Sequence, residues 1–330
     1  MHAAAISPRG GVAPKTTRLR GQSTIEYVLI AAVIGLVVIF AGPQVSGAIR
    51  NQFNQVTNTV NSGTTGGGTE GGSTGGGSTG ADSATVQAAV AKDAKDWTLD
   101  EQKAMAEDIA AKGEASPAYA KAEAAMDAGT KWSVKLTDGK TLEYRIIGIN
   151  HDDLADGSGK AGLTFEATNG AIGCHQMNTL NTNAGGWEQS ELRQKMNSGE
   201  IWKLMPSDLQ SKVKAVTKLT NNVGGNDKNA AVTTTSDKLF LLSYSEIVPD
   251  SYWASSNPWT STEGTQYEVF KDKVTSNYSW NDYLTGSYSW WERSVYPYNS
   301  TRFLLVNSSG YPSRDHSATS RFSILPAFCF

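Results

Sequence analysis

Cysteine is scarce in this chain of 330 residues: Cys174 and Cys329 are the whole supply. That excludes a disulfide framework and leaves room for one bridge in an oxidising compartment. Positive charge is also short, since 29 Lys and Arg against 32 Asp and Glu give a formal net charge of −3. Arg9, Lys15, Arg18 and Arg20 open the chain with no acid up to residue 21, so the remainder of the chain carries about −7. An acidic body argues against nucleic acid as a partner. No phosphate-binding glycine loop and no Ser-His-Asp signature is present. Asn150-His151-Asp152-Asp153 with Asp156-Gly157 fails the EF-hand spacing and reads as an Asp-stabilised turn. Tryptophan is missing before residue 97, which puts the aromatic core material in the C-terminal two thirds. The long uncharged run, Tyr27 to Gly42, has sixteen residues, a little under the roughly 20 of a spanning helix.

That run is nevertheless what the N-terminus is built around. It comes after Gly21-Gln22-Ser23-Thr24-Ile25-Glu26-Tyr27, and extending back to Gln22 supplies the missing length while stranding Glu26 near the membrane boundary. A carboxylate there is costly without a partner. Cutting after Gly21 creates one, because the new amine at Gln22 can sit against Glu26 of a neighbouring subunit. The basic leader predicts a cytoplasmic N-terminus. Val45, Ile49, Phe53 and Val56 recur at helical spacing, so 22–60 reads as one long, kinked helix with a membrane-embedded part at residues 27–42. An uncut signal anchor, or a secretory signal cut near Ala48, are the alternatives.

Residues 61–82, with ten glycines between 62 and 82, cannot bury a core and read as a flexible linker. Residues 83–129 read as a helical stalk. Thr98-Leu99-Asp100-Glu101 has capping-box spacing, Gly113 ends that helix, and Ser116-Pro117 starts another. A short bundle leaning on the next domain is favoured over a free spacer. From 130 to 330 the pattern is α+β. Alternation on either side of Asp138-Gly139 predicts a hairpin over 132–149. Helices are expected from Glu188 to Asn197 and from Pro206 to about Val216. A buried strand is expected at Lys238–Ser243, and short strands at Phe303–Val306 and Ser323–Phe328.

Gly21, Glu26, Tyr27 and the apolar run resemble Flp/Tad-type (type IVb) prepilins over about residues 18–60. The resemblance implies a prepilin peptidase acting after Gly21, other pilin subunits as partners, and a passage from cell membrane to extracellular pilus. Such pilins are usually very small, and the extra residues here point to a minor or decorating subunit. Gly185-Gly186-Trp187-Glu188-Gln189-Ser190-Glu191-Leu192-Arg193, Trp290-Trp291-Glu292-Arg293-Ser294 and Pro326-Ala327-Phe328 resemble a functionally uncharacterised bacterial surface-domain family. By analogy they imply a C-type-lectin-like fold related to formylglycine-generating enzymes. The copper-binding cysteine pair of those enzymes is missing, so no cofactor and no enzymatic activity is expected.

Aromatics are 9% of the chain but thirteen of its last 56 residues, which marks the C-terminal loops as the place to look for contact surface. Tyr296, Tyr298, Asn299, Arg302, Tyr311, Arg314, Asp315 and His316 are the candidate face for an extracellular glycan or protein ligand, since rigid aromatics with polar tips give contact area at low entropy cost. Trp290, Trp291, Arg293 and Ser294 read as core. Trp280-Asn281-Asp282 spells a lectin calcium tripeptide without its usual upstream partner, and no metal is assigned there. Cys174-His175 could supply a thiol nucleophile or join His151 at zinc, but a Cys174–Cys329 disulfide is the favoured reading. The functional expectation is a pilin displaying an adhesive domain. A signal-anchored surface protein is the alternative, and no constellation supports an enzyme.

Overall fold

The computed structural model describes residues 83–222, 232–249, 263–275, 281–284, 286–296 and 298–330. The leader, Gly21, Gln22, Glu26, Tyr27, the expected helix over 22–60 and the linker over 61–82 lie outside the described residues. The chain divides into two units, 1–70 and 71–330, with the boundary inside the glycine-rich stretch. Among the described residues no helix is long and apolar enough to cross a membrane.

Three helices come first: α1 (Ser83–Ala91), α2 (Leu99–Lys112) and α3 (Pro117–Asp127). The α2 start is the expected capping box. Thr98 Oγ1 accepts the Glu101 N–H at 3.3 Å, and Glu101 Oε2 accepts the Thr98 N–H at 2.7 Å. Gly113, at φ +59°, closes α2, and Ser116 with Pro117 opens α3. These helices do not form a free stalk. Trp97 stacks on Trp132 of β1 (Lys131–Lys135) at 5.8 Å, and the Trp132 indole N–H donates to Ala94 O at 2.8 Å. An added Cβ at Gly162 would stand 1.8 Å from Ala106 O, so α2 lies with its backbone directly on this glycine. Tyr144 O–H donates to Gln102 Oε1 at 3.1 Å from the sheet side.

Among the described residues the strands form three sheets. The first has the order β1, β2 (Thr141–Ile149), β3 (Leu163–Ala167), β11 (Ala327–Cys329), antiparallel throughout. Its β1–β2 hairpin turns at Asp138-Gly139 as expected, Gly139 supplying φ +87°. The inner face of this sheet is an aromatic cluster in which Trp132, Tyr144, Phe165, Phe328 and Phe330 meet edge-on, tilted or stacked. The second has the order β4 (Cys174–His175), β10 (Phe322–Ser323), β7 (Trp290–Val295), β8 (Arg302–Val306), β9 (Arg314–Ser317). The third is the β5 (Val216–Asn221)–β6 (Val232–Asp237) hairpin.

Several local expectations are corrected. The helix expected over 188–197 is two: α4 (Gly186–Gln189) and α5 (Glu191–Asn197), divided at Ser190. Ser190 is extended, and its hydroxyl accepts the Arg193 N–H at 3.2 Å, capping the second piece. After α6 (Glu200–Leu204), the helix expected over 206–216 is only α7 (Ser207–Gln210), because the chain then turns to pair as β5. Residues 238–243 are buried from Leu239 to Ser243 but make a single bridge, Phe240 to Ala327, before α8 (Tyr244–Ile247). The strand expected over 323–328 is split into β10 and β11. Pro326 has no N–H for a ladder, and here the chain leaves one sheet for the other.

Candidate ligand face and buried charge network

The eight residues expected to form one ligand face are divided by the ladder that carries them. In the β8–β9 register, Arg302 faces Ser317, Phe303 faces His316, Leu304 faces Asp315 and Leu305 faces Arg314. Successive residues of a strand point to opposite faces, so Asp315 and His316 look opposite ways. Arg302 Nη1 reaches Asp315 Oδ2 diagonally at 2.6 Å, and this ion pair holds the Arg302 guanidinium above its ordinary pKa. Tyr296 meets Tyr298 edge-on at 5.6 Å, and Asn299 folds the loop by accepting from Thr301 N and Oγ1 at 2.8 and 2.6 Å. These five residues share one end of the ladder. Tyr311 and Arg314 share the other, with the guanidinium 5.2 Å from the ring centroid. His316 turns to Phe322 at 5.0 Å, with Nδ1 2.6 Å from Ser320 Oγ.

Sequence reasoning missed the partner of the first cluster. Asn183 is fully buried, and its amide donates to Asn299 O and Arg302 O, both at 2.8 Å, while its own N–H donates to Ser300 O at 2.9 Å. It pins the 178–184 loop beside the 296–302 loop. Leu180 (72% exposed) and Tyr298 (51%) are among the most exposed large apolar side chains, and this tie brings their loops together. No local pattern in the sequence signals the pairing, because the partners lie more than a hundred residues apart.

The expected Cys174–Cys329 bridge is not formed, and both thiols are free. Cys174 is exposed on β4, opposite Ser323, with Sγ 3.7 Å from Ser323 Oγ. Cys329 is buried on β11 in the other sheet, with Sγ 3.3 Å from Thr164 Oγ1. Burial, with the Asp152 charge next, pushes the Cys329 thiol well above its ordinary pKa. At Asn281 the side chain is spent on a turn, donating to Lys273 O and accepting from Tyr283 N. Trp280 lies outside the described residues.

The residues that carry the second resemblance are framework. Gly186, at φ +55°, leaves only 2.2 Å between an added Cβ and Asn221 O. Trp187 Nε1 and Arg193 Nε both donate to Asp237, at 2.9 and 2.6 Å. Trp291 Nε1 donates to His175 O at 2.8 Å. Arg293 is fully buried, as expected for core, and donates to Leu241 O at 2.9 Å and to both Glu246 oxygens.

From Arg293 a chain of charges runs inward. Glu246 Oε1 meets Lys218 Nζ at 2.5 Å, and Lys218 Nζ meets Asp152 Oδ1 at 2.6 Å. Tyr267 O–H and Thr164 Oγ1 also donate to Asp152, at 2.8 and 2.6 Å. Burial would raise the Asp152 and Glu246 carboxyls, but the Lys218 ammonium beside Asp152, and Arg293 with Lys218 beside Glu246, hold both below the ordinary carboxylate range. Glu263, which accepts from Asn221 N at 3.0 Å and Ser294 Oγ at 2.6 Å, is instead raised by burial. So is Glu292, and more strongly. Asp152, Lys218, Glu246 and Arg293 are thus paired with one another and buried.

Residues 165–330 match the family described as Domain of unknown function (DUF6273), and residues 20–60 match the Flp/Fap pilin component. No curated protein and no solved structure matches the chain.

Proposed function

The chain belongs to the family described as Domain of unknown function (DUF6273), and from that premise we propose that it is a minor or decorating pilin which carries this domain outside the cell as an adhesive module. The observation that carries the reading is the Flp/Fap pilin match over 20–60 in the same chain as the separate unit 71–330. The pilin-like N-terminus points to other pilin subunits and the pilus machinery as partners, and to a surface pilus as the destination. Prepilin peptidase cleavage after Gly21, with Glu26 then meeting a neighbour's amine, is the processing step this reading requires.

Binding, not catalysis, is the proposed role of the domain, with a C-type-lectin-like way of presenting its loops. It is supported by the tied loops 178–184 and 296–302, which offer Leu180, Tyr298 and the Arg302–Asp315 pair to solvent. Mass spectrometry of the mature surface protein tests the pilin reading. A chain starting at Gln22 supports it, and an intact arginine-rich leader replaces it with a signal-anchored surface protein. Adhesion is tested by coating cells that display the wild-type chain or Tyr298→Ala with Arg302→Ala on glycan and protein arrays. Equal binding by both removes this face from the proposal.

A further inference from the structure

The Lys218 ammonium on β5 lies in the interior between two carboxylates. Lys218, Asp152 and Glu246 are all buried, and Lys218 Nζ stands 2.6 Å from Asp152 Oδ1 and 2.5 Å from Glu246 Oε1. Two rings flank it, with the Phe240 and Tyr267 centroids 4.4 and 5.4 Å from Nζ. The backbone fixes this meeting. Leu154 forms an antiparallel bridge with Val216, and Thr217 N–H donates to Asp153 O at 2.8 Å. Asp152 and Lys218 lie two positions beyond that bridge in their segments, so they share one face. Asp152 Oδ2 accepts from Thr164 Oγ1 at 2.6 Å and from Tyr267 O–H at 2.8 Å. Glu246 is anchored by Arg293, whose Nη2 donates to Oε1 at 3.0 Å. An amine, a carboxyl with two hydroxyl donors on its second oxygen, and a third group able to carry a proton therefore meet in one buried place.

We propose that the domain cross-links itself here, Lys218 Nζ and Asp152 Cγ condensing to an intramolecular amide with Glu246 as the acid–base group. The N–C bond forms, one Asp152 C–O bond breaks, and one water leaves. Of the three ammonium protons, one stays on the amide nitrogen and two depart with the oxygen, so no other reactant is needed. As ions the two groups are unreactive: burial works against both charges, and their mutual attraction outweighs it. Glu246 Oε1, in contact with Nζ, takes a proton from the ammonium and returns it to the departing oxygen, ending as it began. The Thr164 and Tyr267 hydroxyls stabilise the negative oxygen that develops on Asp152 during attack. Fixed contact between amine and carboxyl replaces a chance encounter. The step also removes one buried ion pair, which is costly to desolvate, and leaves Glu246 paired with Arg293. The Asp152–Lys218 ion pair is the chain before the step, and its acid response is a property of that state. The product ties β5 covalently to the segment that leads into β3.

The test is the intact mass of the purified full chain, unfolded in reductant, followed by tandem mass spectrometry of its proteolytic peptides. The wild type is expected to weigh one water less than its sequence, counted from whichever N-terminus it carries, and to give a branched peptide joining residues 152 and 218. A succinimide at Asp138-Gly139 or Asp156-Gly157 would lose the same water, but that ring reopens in mild base and the branched peptide does not. Lys218→Arg and Lys218→Met, shown to be folded by near-ultraviolet circular dichroism, should keep the full mass. The control Lys160→Arg, at the exposed pair with Asp153, should lose the water as the wild type does. Folded Glu246→Gln should condense at least about tenfold more slowly after refolding. A wild-type chain at its full sequence mass overturns the proposal, and so does a lost water traced to a succinimide or to other residues. A folded Glu246→Gln that condenses as fast as the wild type overturns the part given to Glu246.

Discussion

Gly162→Ala is the sharpest probe of how the helical segment joins the sheet. The added methyl would stand 1.8 Å from Ala106 O, 2.6 Å from Ala106 C and 2.8 Å from its Cα. All three are helix backbone, so no side chain can rotate away. The backbone must retreat by about 1.5 Å to reach ordinary van der Waals separation. That retreat loosens the Asn150 amide from Ile109 O, now at 3.3 Å, and Tyr144 from Gln102, now at 3.1 Å. Overpacking a tight contact costs about 1–3 kcal/mol, and the two strained hydrogen bonds place this one at the upper end. For a domain of this size about 2–3 kcal/mol lowers Tm by roughly 4–12 °C. The assay is thermal unfolding of the full chain followed by tryptophan fluorescence, with Gly286→Ala as control, since nothing lies within 4 Å of a Cβ there. If Gly162→Ala melts no lower than Gly286→Ala, α2 does not rest on the sheet and the helices are a detached stalk after all.

Other perturbations probe the interior. Arg293→Met leaves Glu246 and the Glu263 carbonyl without their guanidinium and should cost about 3–5 kcal/mol, read as a fall in denaturant midpoint at constant slope. Asp152 and Glu246 are held below the ordinary carboxylate range, so their stabilisation is complete above the unfolded pKa of about 4 and is lost as pH falls toward the folded values. Tm should therefore drop between about pH 4 and 2, and Asp152→Asn should show a shallower drop; equal slopes would remove Asp152 from the account. Thiol labelling should add one adduct to the native chain, at Cys174, and two after unfolding, because Cys329 is buried with a raised pKa. A native mass lacking two hydrogens and resistant to labelling would restore the disulfide.

What the sequence made legible was local. The capping box at Thr98–Glu101, the stop at Gly113 and the Asp138-Gly139 turn depend on neighbours three or four residues apart, and all formed. What it hid depends on distant partners. Ser190 reads as a helix interior until its hydroxyl is seen capping Arg193 N. Val216–Asn221 carries apolar residues only at Val216 and Leu219, so no alternation marks it as a strand, and the helix expected from Pro206 to about Val216 reaches its first residue. At the candidate face, composition grouped eight residues and could not see that the β8–β9 register sends Asp315 and His316 to opposite sides. Nor could it see that Asn183 ties the 178–184 loop to the 296–302 loop. The Cys174–Cys329 pairing failed for a similar reason: the chain passes Pro326 and changes sheets within the seven residues from Ser323 to Cys329.

The helical segment also limits how the domain can be carried. Gln102, Met105, Ala106 and Ile109 of α2 are buried within the domain's own unit, and Trp97 and Trp132 close the seam between helices and sheet. The apolar stripe that a stalk would offer a filament is thus already occupied. What α2 leaves outside is polar: Lys103 pairs with Glu107 at 2.6 Å. Surface ion pairs of this kind contribute up to about 1 kcal/mol each and weaken with salt, a poor basis for fixed packing against another subunit. A helical segment that spends its apolar face on its own sheet, and follows ten glycines in the chain, fits the displayed domain proposed above.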